Sequence, residues 1–384
     1  MNIIHMLFGF EWSELKKFEK LSDEERSIVF YAENLASKNH LGPLIDYLTS
    51  NLGLKVCYIS SVKNDPFFLK ESTFIKTFYI GDGAARTKFF LTLKAKILIM
   101  DMPDLESFHI KKSKIYPVHY VYVFHSIFSS HSYLRKDALI HYDTIFCVGE
   151  HHIDEIKTAE KKYNLPSKNL VQYGFPRLDN LLKLNTSKNN YDNNNSIIIA
   201  PSYGENNLLE ICGEDLIELL LNNKYKVILR PHFRILKDNK ILIKNLINKF
   251  SNHKNFHFID GIINTNIFND SVTLISDWSG ISFEYAFAFK KPVIFIDVPK
   301  KIINSHFSDL EILPIEFTHR EKLGIVISPE KINCIPNLID EIRNDTNLEK
   351  SILETRSKTI FNLGTSSKVG SFYLSNLLNE LKSK

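Results

Sequence analysis

Short apolar runs alternate with helical patterns along most of the chain, and no other feature of the sequence restricts the fold as strongly. The runs are rich in isoleucine, valine and leucine, as in Ile97–Met100, 272–275 and Val293–Ile296. Turn residues flank each apolar run, and a longer segment with helical periodicity follows each run. Strands that alternate with helices form parallel sheets whose two faces are covered by helices. The sequence therefore predicts an α/β fold of doubly wound parallel sheets.

The positions of the individual elements follow from the same pattern. The predicted strands are 27–31, 55–60, 97–100, 120–124, 144–148, 170–173, 197–200, 226–229, 256–259, 272–275 and 293–296. The predicted helices include 42–51, 84–95, 152–163, 208–221, 240–250 and 281–289. Ligands of such sheets bind beyond the carboxyl ends of the strands, so we expect the functional site there.

Two domains follow from the length of the chain and from one polar segment. A chain of 384 residues is too long for one typical core. Residues 184–196, LNTSKNNYDNNNS, lack apolar periodicity and are rich in asparagine, which is typical of a linker. We predict a Rossmann-like domain at 1–184, a linker at 185–196 and a second Rossmann-like domain at 197–384, with a cleft between them. The helical stretch 347–384 is long enough to cross back onto the first domain.

Charge, cysteine spacing and hydropathy exclude several classes of protein. The net charge is +4 and the basic residues are dispersed, so we expect no nucleic-acid partner. The four cysteines are far apart, which argues against disulfides and against a zinc site. The amino terminus does not resemble a signal peptide, and no apolar run approaches the length of about 20 residues that a bilayer span needs. We therefore expect a cytoplasmic protein, with the lysines at 111–114 and 290–301 as solvated faces or contacts with an anionic membrane.

Turn residues between a predicted strand and a predicted helix form the strongest candidate site. Ser276, Asp277, Ser279 and Gly280 precede the predicted helix Ile281–Phe289. A helix that begins directly after a buried strand directs its free N–H groups and positive dipole end above the sheet, where an anion can bind. Capping of an ordinary helix uses the same residue types, so both interpretations stay open for this segment alone.

Two histidines follow predicted strands in polar surroundings. His125 and Ser126 come directly after strand 120–124, in YVFHS, and an imidazole there can act as a general base. Arg230 and His232 come directly after strand 226–229, in ILRPHF, and both are suitable partners for phosphate. A partly buried structural histidine is the alternative for each. Elsewhere, His151 and His152 stand beside Glu150 and Asp154, but no second ligand group at metal spacing supports a zinc or iron site, so we expect no metal.

Two further segments are weaker candidates. GFPRLD contains Arg177 and Asp179, which could pair with each other or reach the cleft. GDGAAR at 81–86 lacks the full GxGxxG spacing and a clearly placed acidic partner, so a nicotinamide site is not expected.

Four segments occur in a fixed order along the chain: YVFHS, GFPRLD, ILRPHF and ISDWSGISFEYAFAFKKPVIFID. Together they resemble the CDP-glycerol glycerophosphotransferase family, which primes and extends teichoic acids and related capsular polymers. The similarity extends from about Val56 onward. It implies a GT-B fold and a peripheral membrane enzyme at the inner face of the cell membrane. It also implies transfer of glycerol phosphate from CDP-glycerol to a hydroxyl of a glycan or glycolipid, with release of CMP and without a metal or other cofactor.

The resemblance also implies roles for individual residues. His125 matches the histidine of the family's His-Gly motif, the expected general base, although Ser126 stands where the family has glycine. His232 matches the histidine of the Arg-Pro-His motif, the expected contact with the donor pyrophosphate. Ser276 and Asp277 match the Ser/Thr-Asp pair of the donor site. Gly280 stands where serine is common in the family.

Other functions are compatible with the same sequence. An inverting GT-B glycosyltransferase would use a nucleotide sugar at a similar site. A UDP-N-acetylglucosamine 2-epimerase would need carboxylates in the cleft, for which Asp101, Asp104 and Glu284 are candidates. A scaffold protein would bury both histidines away from any cleft. The sequence does not identify the acceptor. It also does not distinguish glycerol phosphate from ribitol phosphate, or a single addition from polymerisation.

Overall fold

A computed structural model of the chain describes residues 9–184, 195–260, 266–343 and 345–383, and two β-sheets organise them. The strands of the first sheet are β1 Ile28–Ala32, β2 Val56–Ser60, β3 Ile75–Tyr79, β4 Ile97–Met100, β5 His119–Val123, β6 Thr144–Cys147 and β7 Asn169–Gln172. They lie in the order β3-β2-β1-β4-β5-β6-β7, and every pair is parallel. The chain reverses its direction of winding between β1 and β4, which is where such sheets bind ligands.

The second sheet repeats this arrangement. Its strands are β8 Ser196–Ala200, β9 Lys226–Leu229, β10 Phe256–Phe258, β11 Ser271–Ser276, β12 Val293–Ile296 and β13 Gly324–Ile327. They lie in the order β10-β9-β8-β11-β12-β13 and are also parallel throughout. The predicted α/β fold with two doubly wound parallel sheets is therefore confirmed.

Helices cover both faces of each sheet. They are α1 Gly9–Glu19, α2 Ser37–Ser50, α3 Ala84–Thr92, α4 Ser130–Tyr133, α5 Glu150–Tyr163, α6 Pro176–Leu184, α7 Leu208–Asn222, α8 Ile235–Asp238, α9 Lys240–Phe250, α10 Asn266–Asn269, α11 Ile281–Phe289, α12 Ile315–Thr318, α13 Arg320–Leu323, α14 Ile335–Ile342, α15 Thr346–Thr359 and α16 Ser366–Ser383. Short 3₁₀ turns occupy Pro66–Leu69, Phe307–Leu310 and Pro329–Cys334. Because helices pack on both sides, central strands such as β1 and β4 are apolar and buried along their whole length.

The predicted strands all lie within one residue of their observed bounds, and the errors fall at the sheet edges. β3 and β13 are edge strands that the sequence analysis does not predict. β3, IKTFY, leaves its lysine exposed, so its apolar signal is interrupted. Helix α2 begins at Ser37, earlier than the predicted start at 42, and this shift places His40 in its first turn.

The last helix packs on the first sheet. α16 contacts α2, and Leu374, Leu377 and Leu378 join the apolar cluster that α2 forms over that sheet. Gly174 of GFPRLD permits the chain to cross there, because it has a φ of +99° and a Cβ would lie 2.3 Å from the carbonyl oxygen of Phe361. The predicted linker lies outside the described residues except for 195 and 196, and the domain boundaries stay predictions.

The two halves are joined through the segment that follows β5. Ser129 donates its backbone N–H to the buried carboxyl of Glu316, and its hydroxyl accepts the N–H of Ile315. Phe128 packs edge to face on Phe283 of α11, with ring centroids 4.9 Å apart. Residues just beyond His125 are therefore fixed against the second half of the molecule.

Candidate active site

His125 lies just beyond β5 and is held with a defined tautomer. Its Nδ1 lies 3.1 Å from the backbone carbonyl oxygen of Asp101. A carbonyl oxygen only accepts hydrogen bonds, so Nδ1 carries the proton and Nε2 keeps a lone pair. Burial lowers the pKa of His125 below its ordinary value of 6.5, so the ring is neutral at physiological pH. A neutral imidazole with an unprotonated Nε2 has the form that a general base requires.

Ser126 lies next to the turn 276–280, so it brings the first half of the molecule beside the second. Its Oγ accepts the N–H of Phe128 at 3.2 Å. A Cβ at Gly280 would lie 3.6 Å from the same oxygen. Gly280 precedes α11, and no side chain caps that helix. The amino end of α11 is therefore next to the loop that carries His125, as a site shared by both halves requires.

His232 has the opposite tautomer from His125. Its Nδ1 accepts the backbone N–H of Arg234 at 3.2 Å, so the proton of the neutral ring is on Nε2. Burial lowers the pKa of His232 to about 3, and the nearby charges of Lys301, Arg230 and Arg234 add to this effect. The neutral ring therefore offers an N–H donor from within a positively charged environment.

The cations around His232 have no carboxylate partners among the described residues. Arg230 is half-buried, and its Nε has no hydrogen-bond partner in the described chain. Burial lowers the pKa of Arg230, and the neighbouring charge of Arg177 lowers it further. Neither Arg234 nor Lys301 forms an ion pair with a described carboxylate. A cluster of unpaired, partly desolvated cations is a favourable place for an anion.

Tyr203 and Lys301 belong to this cluster but are not in the set of predicted site residues. The Nζ of Lys301 lies 3.0 Å from the ring centroid of Tyr203, and the guanidinium of Arg234 lies 4.8 Å from it. Burial lowers the pKa of Lys301 to about 7, against the opposing effect of Asp277. Tyr203 lies in the loop after β8, a central strand, so its position beyond a strand end was the signal that could have identified it.

The side chains of Ser276 and Asp277 are occupied by protein partners. The hydroxyl of Ser276 donates to the carbonyl oxygen of Ala200 at 2.6 Å. The carboxylate of Asp277 accepts the N–H groups of Ser202 and Leu208 at 2.6 and 3.0 Å. Both side chains are buried, and burial raises the pKa of Asp277. These contacts hold the loop after β8 against the turn 276–280, so both side chains have a structural role at this turn.

Ser279 and Gly280 complete the turn. Ser279 is buried, and its carbonyl oxygen accepts the hydroxyl of Ser282 at 2.7 Å. This bond fixes the first turn of α11. Gly280 follows it and lies next to Ser126 of the opposite half, since a Cβ at Gly280 would be 3.6 Å from the Ser126 hydroxyl oxygen.

Arg177 and Asp179 do not pair with each other, so that alternative is wrong. The Nε of Arg177 donates to Glu284 of α11 at 2.6 Å, which links the two halves. Asp179 instead accepts the N–H groups of Gly364 and Ser366 at 2.6 and 2.9 Å. Arg177 therefore lies at the junction between the halves, whereas Asp179 fixes the start of the last helix.

The family can be assigned from the sequence that surrounds this site. The sequence model of CDP-Glycerol:Poly(glycerophosphate) glycerophosphotransferase matches residues 82–301, more than half of the 384 residues. The matched span contains His125, Arg230, His232 and Gly280. The chain belongs to this family. The resemblance found in the sequence motifs is thereby confirmed.

A curated relative of this glycerophosphotransferase family member is the minor teichoic acid biosynthesis protein GgaB of Bacillus subtilis (strain 168). The two are 25% identical over 217 residues, which is 49% of this chain and 21% of GgaB. The chain therefore matches about a fifth of that protein's length.

Solved structures with the same fold come from two groups. Wall teichoic acid polymerase TagF, in a crystal soaked with CDPG, has a TM-score of 0.61 at 14% identity and covers 98% of this chain and 96% of its own. UDP-GlcNAc 2-epimerase of Methanocaldococcus jannaschii, with UDP-GlcNAc and UDP, has a TM-score of 0.56 at 15% identity and covers 91% of this chain and 99% of its own. At these identities the likeness shows the fold alone, and it confirms the expected GT-B architecture.

In this glycerophosphotransferase family member, two of the three carboxylates considered for an epimerase form ion pairs with arginine. Asp104 pairs with Arg135 at 2.8 Å, and Glu284 pairs with Arg177. Asp101 is buried, and this burial raises its pKa to about 7. Two of the three carboxylates are therefore neutralised by arginine, and these residues do not assemble the set that an epimerase would need.

Neither a metal cluster nor a membrane span is found in the described parts of this family member. No group of three or more histidine, cysteine, aspartate or glutamate side chains is placed to hold a metal ion among the described residues. No described helix is both long and apolar enough to cross a bilayer.

Proposed function

We propose that this chain transfers glycerol phosphate, or a related polyol phosphate, from a CDP-activated donor to a hydroxyl of a cell-surface glycan or glycolipid. CMP is the second product. One observation carries the proposal beyond the family assignment: two neutral histidines of opposite tautomer lie at the carboxyl ends of the two sheets. His125 presents a lone pair, and His232 presents an N–H donor among unpaired cations.

The acceptor is activated from the first half of the molecule. The Nε2 of His125 takes the proton of the acceptor hydroxyl as its oxygen attacks the β-phosphorus of the donor. The new O–P bond forms while the bond from the β-phosphorus to the bridging oxygen breaks. The bridging oxygen leaves with the electron pair as part of CMP, and the imidazolium of His125 then releases its proton to water.

The charge of the pyrophosphate is balanced from the second half of the molecule. His232 donates its Nε2–H, and Arg230 and Lys301 supply positive charge at the same place. The free amides at the start of α11 add donors that need no reorganisation during the reaction. We propose that these groups take the neutralising role and that the reaction requires neither a metal ion nor another cofactor.

The contacts of both histidines argue against a scaffold protein. A scaffold would leave them buried with their hydrogen bonds fully used inside the protein. Instead each ring is half-buried, and the described hydrogen bonds of each involve Nδ1. The remaining nitrogen of each ring is therefore available to substrate.

A peripheral position at the inner face of the cell membrane is part of the proposal. Exposed Phe108 and Ile115 flank the lysines at 111–114, which gives one surface apolar and basic character. The second lysine cluster does not fit a membrane role. Lys291 is buried and bonds to the carbonyl oxygens of Asn269 and Ser271 at 2.6 Å, and Lys301 lies at the proposed donor site.

The direct test is nucleotide release measured by mass spectrometry. Purified protein is incubated with CDP-glycerol, CDP-ribitol, UDP-sugars and CMP-sugars in the presence of membrane glycolipid extract. CMP from a CDP-polyol alone, lost in His125→Ala, supports the proposal. His141→Ala is the matched control, because His141 is exposed and precedes β6 at the opposite end of the sheet. Release of UDP, or turnover of CMP-sugars alone, would assign the protein to the glycosyltransferases.

The absence of a metal requirement has its own test. Because protein cations balance the pyrophosphate, an excess of EDTA is expected to leave the rate of CMP release unchanged. A rate that falls with EDTA and returns with added Mg²⁺ would contradict this part of the proposal.

A further inference from the structure

The loop that carries the proposed base, residues 125–132, is hydrogen-bonded to one segment of the second half of the molecule. The carbonyl oxygen of Ser132 accepts the backbone N–H groups of Ile303 and Asn304 at 3.0 and 3.1 Å. The side-chain amide of Asn304 also donates to the carbonyl oxygen of His131 at 2.9 Å. The far end of the base loop is therefore attached to a segment that begins just after the proposed donor-site lysine.

Glu316 lies at the centre of this attachment, and neither the sequence motifs nor the reaction described above uses it. Glu316 is 4% exposed. One carboxyl oxygen accepts the backbone N–H of Ser129 at 3.1 Å, and the other accepts the hydroxyl of Ser132. A buried carboxyl is costly unless its oxygens are hydrogen-bonded, so this group and the loop stabilise each other. We call these contacts, between residues 129–132 and 303–316, the Ser129–Glu316 joint.

Each half of the proposed site is held in place by its own half of the molecule. The described hydrogen bonds of His125 are with Tyr122 and Asp101 of the first half. Lys301 lies over the ring of Tyr203 in the second half. The distance from the base to the donor phosphate therefore depends on the contacts that join the halves.

Other contacts between the halves involve a single helix. Arg177 donates to Glu284, and Phe128 packs on Phe283, and both partners belong to α11. Two bodies attached along one helix can still rotate about it. The Ser129–Glu316 joint contacts α12 instead, so it opposes that rotation.

We propose that Glu316 is a positioning residue, which sets the distance between the base in the first half and the donor phosphate in the second. The inference rests on the proposed function. A general base must lie within hydrogen-bond reach of the attacking hydroxyl, and a displacement of about 1 Å can lower a rate by about 10²-fold. Loss of the joint slows transfer and leaves donor binding intact.

The test compares replacements of Glu316 in single-turnover CMP release from CDP-glycerol, with membrane glycolipid extract as the acceptor. Glu316→Leu keeps most of the side-chain volume but accepts no hydrogen bond, so the rate constant should fall by about tenfold or more. The Kd of CDP-glycerol, measured by calorimetry, should not change. Glu316→Gln should retain most of the rate. Its amide oxygen accepts the N–H of Ser129, and its amide nitrogen donates to the hydroxyl of Ser132, which can turn to the carbonyl oxygen of Ser129. Glu321→Gln is the matched control, because Glu321 is exposed on the next helix.

Ser132→Ala tests the joint from the first half of the molecule. It removes one of the two donors to Glu316, so the rate constant should fall by less than in Glu316→Leu. Both substitutions act through one contact, so the double variant should be no slower than Glu316→Leu alone. Independent, multiplying losses would contradict the joint.

A distance measurement decides the joint without reference to activity. Spin labels at Lys161→Cys and Lys254→Cys, both exposed, report the separation of the halves by pulsed electron paramagnetic resonance. Cys334→Ser removes the partly exposed native thiol. We expect a narrow distance distribution with native Glu316 and with Glu316→Gln, and a broader or shifted one with Glu316→Leu.

Several outcomes would overturn the inference. A rate constant for Glu316→Leu equal to that of the wild type would show that the base is positioned without Glu316. Equal losses in the Leu and Gln variants, with a lowered melting temperature, would make Glu316 a structural residue only. An unchanged distance distribution in Glu316→Leu would exclude the joint. If the wild type releases no CMP from any CDP-polyol, the proposed function is wrong, and the distance measurement still decides whether Glu316 fixes the two halves.

Discussion

Replacing His125 by alanine gives the sharpest test of the proposed catalytic site, because His125 and the cations proposed to bind the donor lie on different halves of the molecule. General base catalysis contributes about 10²–10⁴-fold to a rate, so kcat is expected to fall by about that factor. The cations proposed to hold the donor, Arg230 and Lys301, lie on the other half of the molecule. The Kd of CDP-glycerol should therefore stay within about twofold of the wild-type value.

The pH dependence of the wild-type enzyme provides a second measure of the same residue. His125 must be unprotonated to act, so kcat/KM rises with pH through its pKa and then levels off. Because burial lowers that pKa, the midpoint of the rise should lie below 6.5. Asp101 also titrates near neutrality, because burial raises its pKa to about 7. Asp101→Asn is therefore the control that removes this second titration. The rise should persist in that variant.

The assay is CMP release in single-turnover experiments, with the Kd of CDP-glycerol measured separately by calorimetry. A His125→Ala enzyme with more than about a tenth of the wild-type kcat would refute the base assignment. Loss of CDP-glycerol affinity equal to the loss of rate would make His125 a donor ligand. A midpoint above 7 in the wild-type profile would contradict the effect of burial.

Three further predictions concern the donor site and the backbone. Lys301 has a pKa lowered to about 7, so it loses its charge as pH rises through that value, and kcat/KM should fall on the alkaline side. Lys301→Arg should remove this fall in a pH profile, and persistence of the fall would exclude Lys301 as its cause. Asp277→Ala leaves two buried amides without acceptors, which should lower the free energy of unfolding by about 2–5 kcal/mol in urea titrations. An effect below about 1 kcal/mol would mean that water replaces the carboxylate. Gly174→Ala forces a Cβ to within 2.3 Å of the Phe361 carbonyl at a φ of +99°, so the melting temperature should fall by several degrees, about 4 °C or more. An unchanged melting temperature would show that the crossing segment moves aside.

The sequence was a good guide to the elements and to the loops that carry the site, and a poorer guide to what each side chain contacts. His125, Arg230 and His232 follow strands whose apolar runs are unmistakable, so their position beyond a strand end could be predicted. Asp277 has the same kind of position, but its carboxylate is directed to the amides of a neighbouring loop. The difference depends on where that loop lies in space, which no local pattern records.

His40 and Tyr203 show what could not be predicted. His40 is a single histidine in a helix that contains a proline, and the sequence placed the start of that helix after it. Folding brings its ring centroid to 6.2 Å from that of His125, from which it is separated by 85 positions in the chain. Tyr203 likewise meets Lys301 through folding alone.

The sequence by itself determined the α/β architecture, since buried parallel strands need continuous apolar runs and their helices need a periodic face. It also determined the family, because motifs such as ILRPHF are contiguous in the chain. The tertiary structure alone decided which polar groups form hydrogen bonds within the protein and which stay available to a ligand. Hydrogen bonds and charges act over a few ångströms, and the two sheets bring Arg177 to Glu284 and Ser126 to Gly280 from distant parts of the chain. The site exists only where those parts meet.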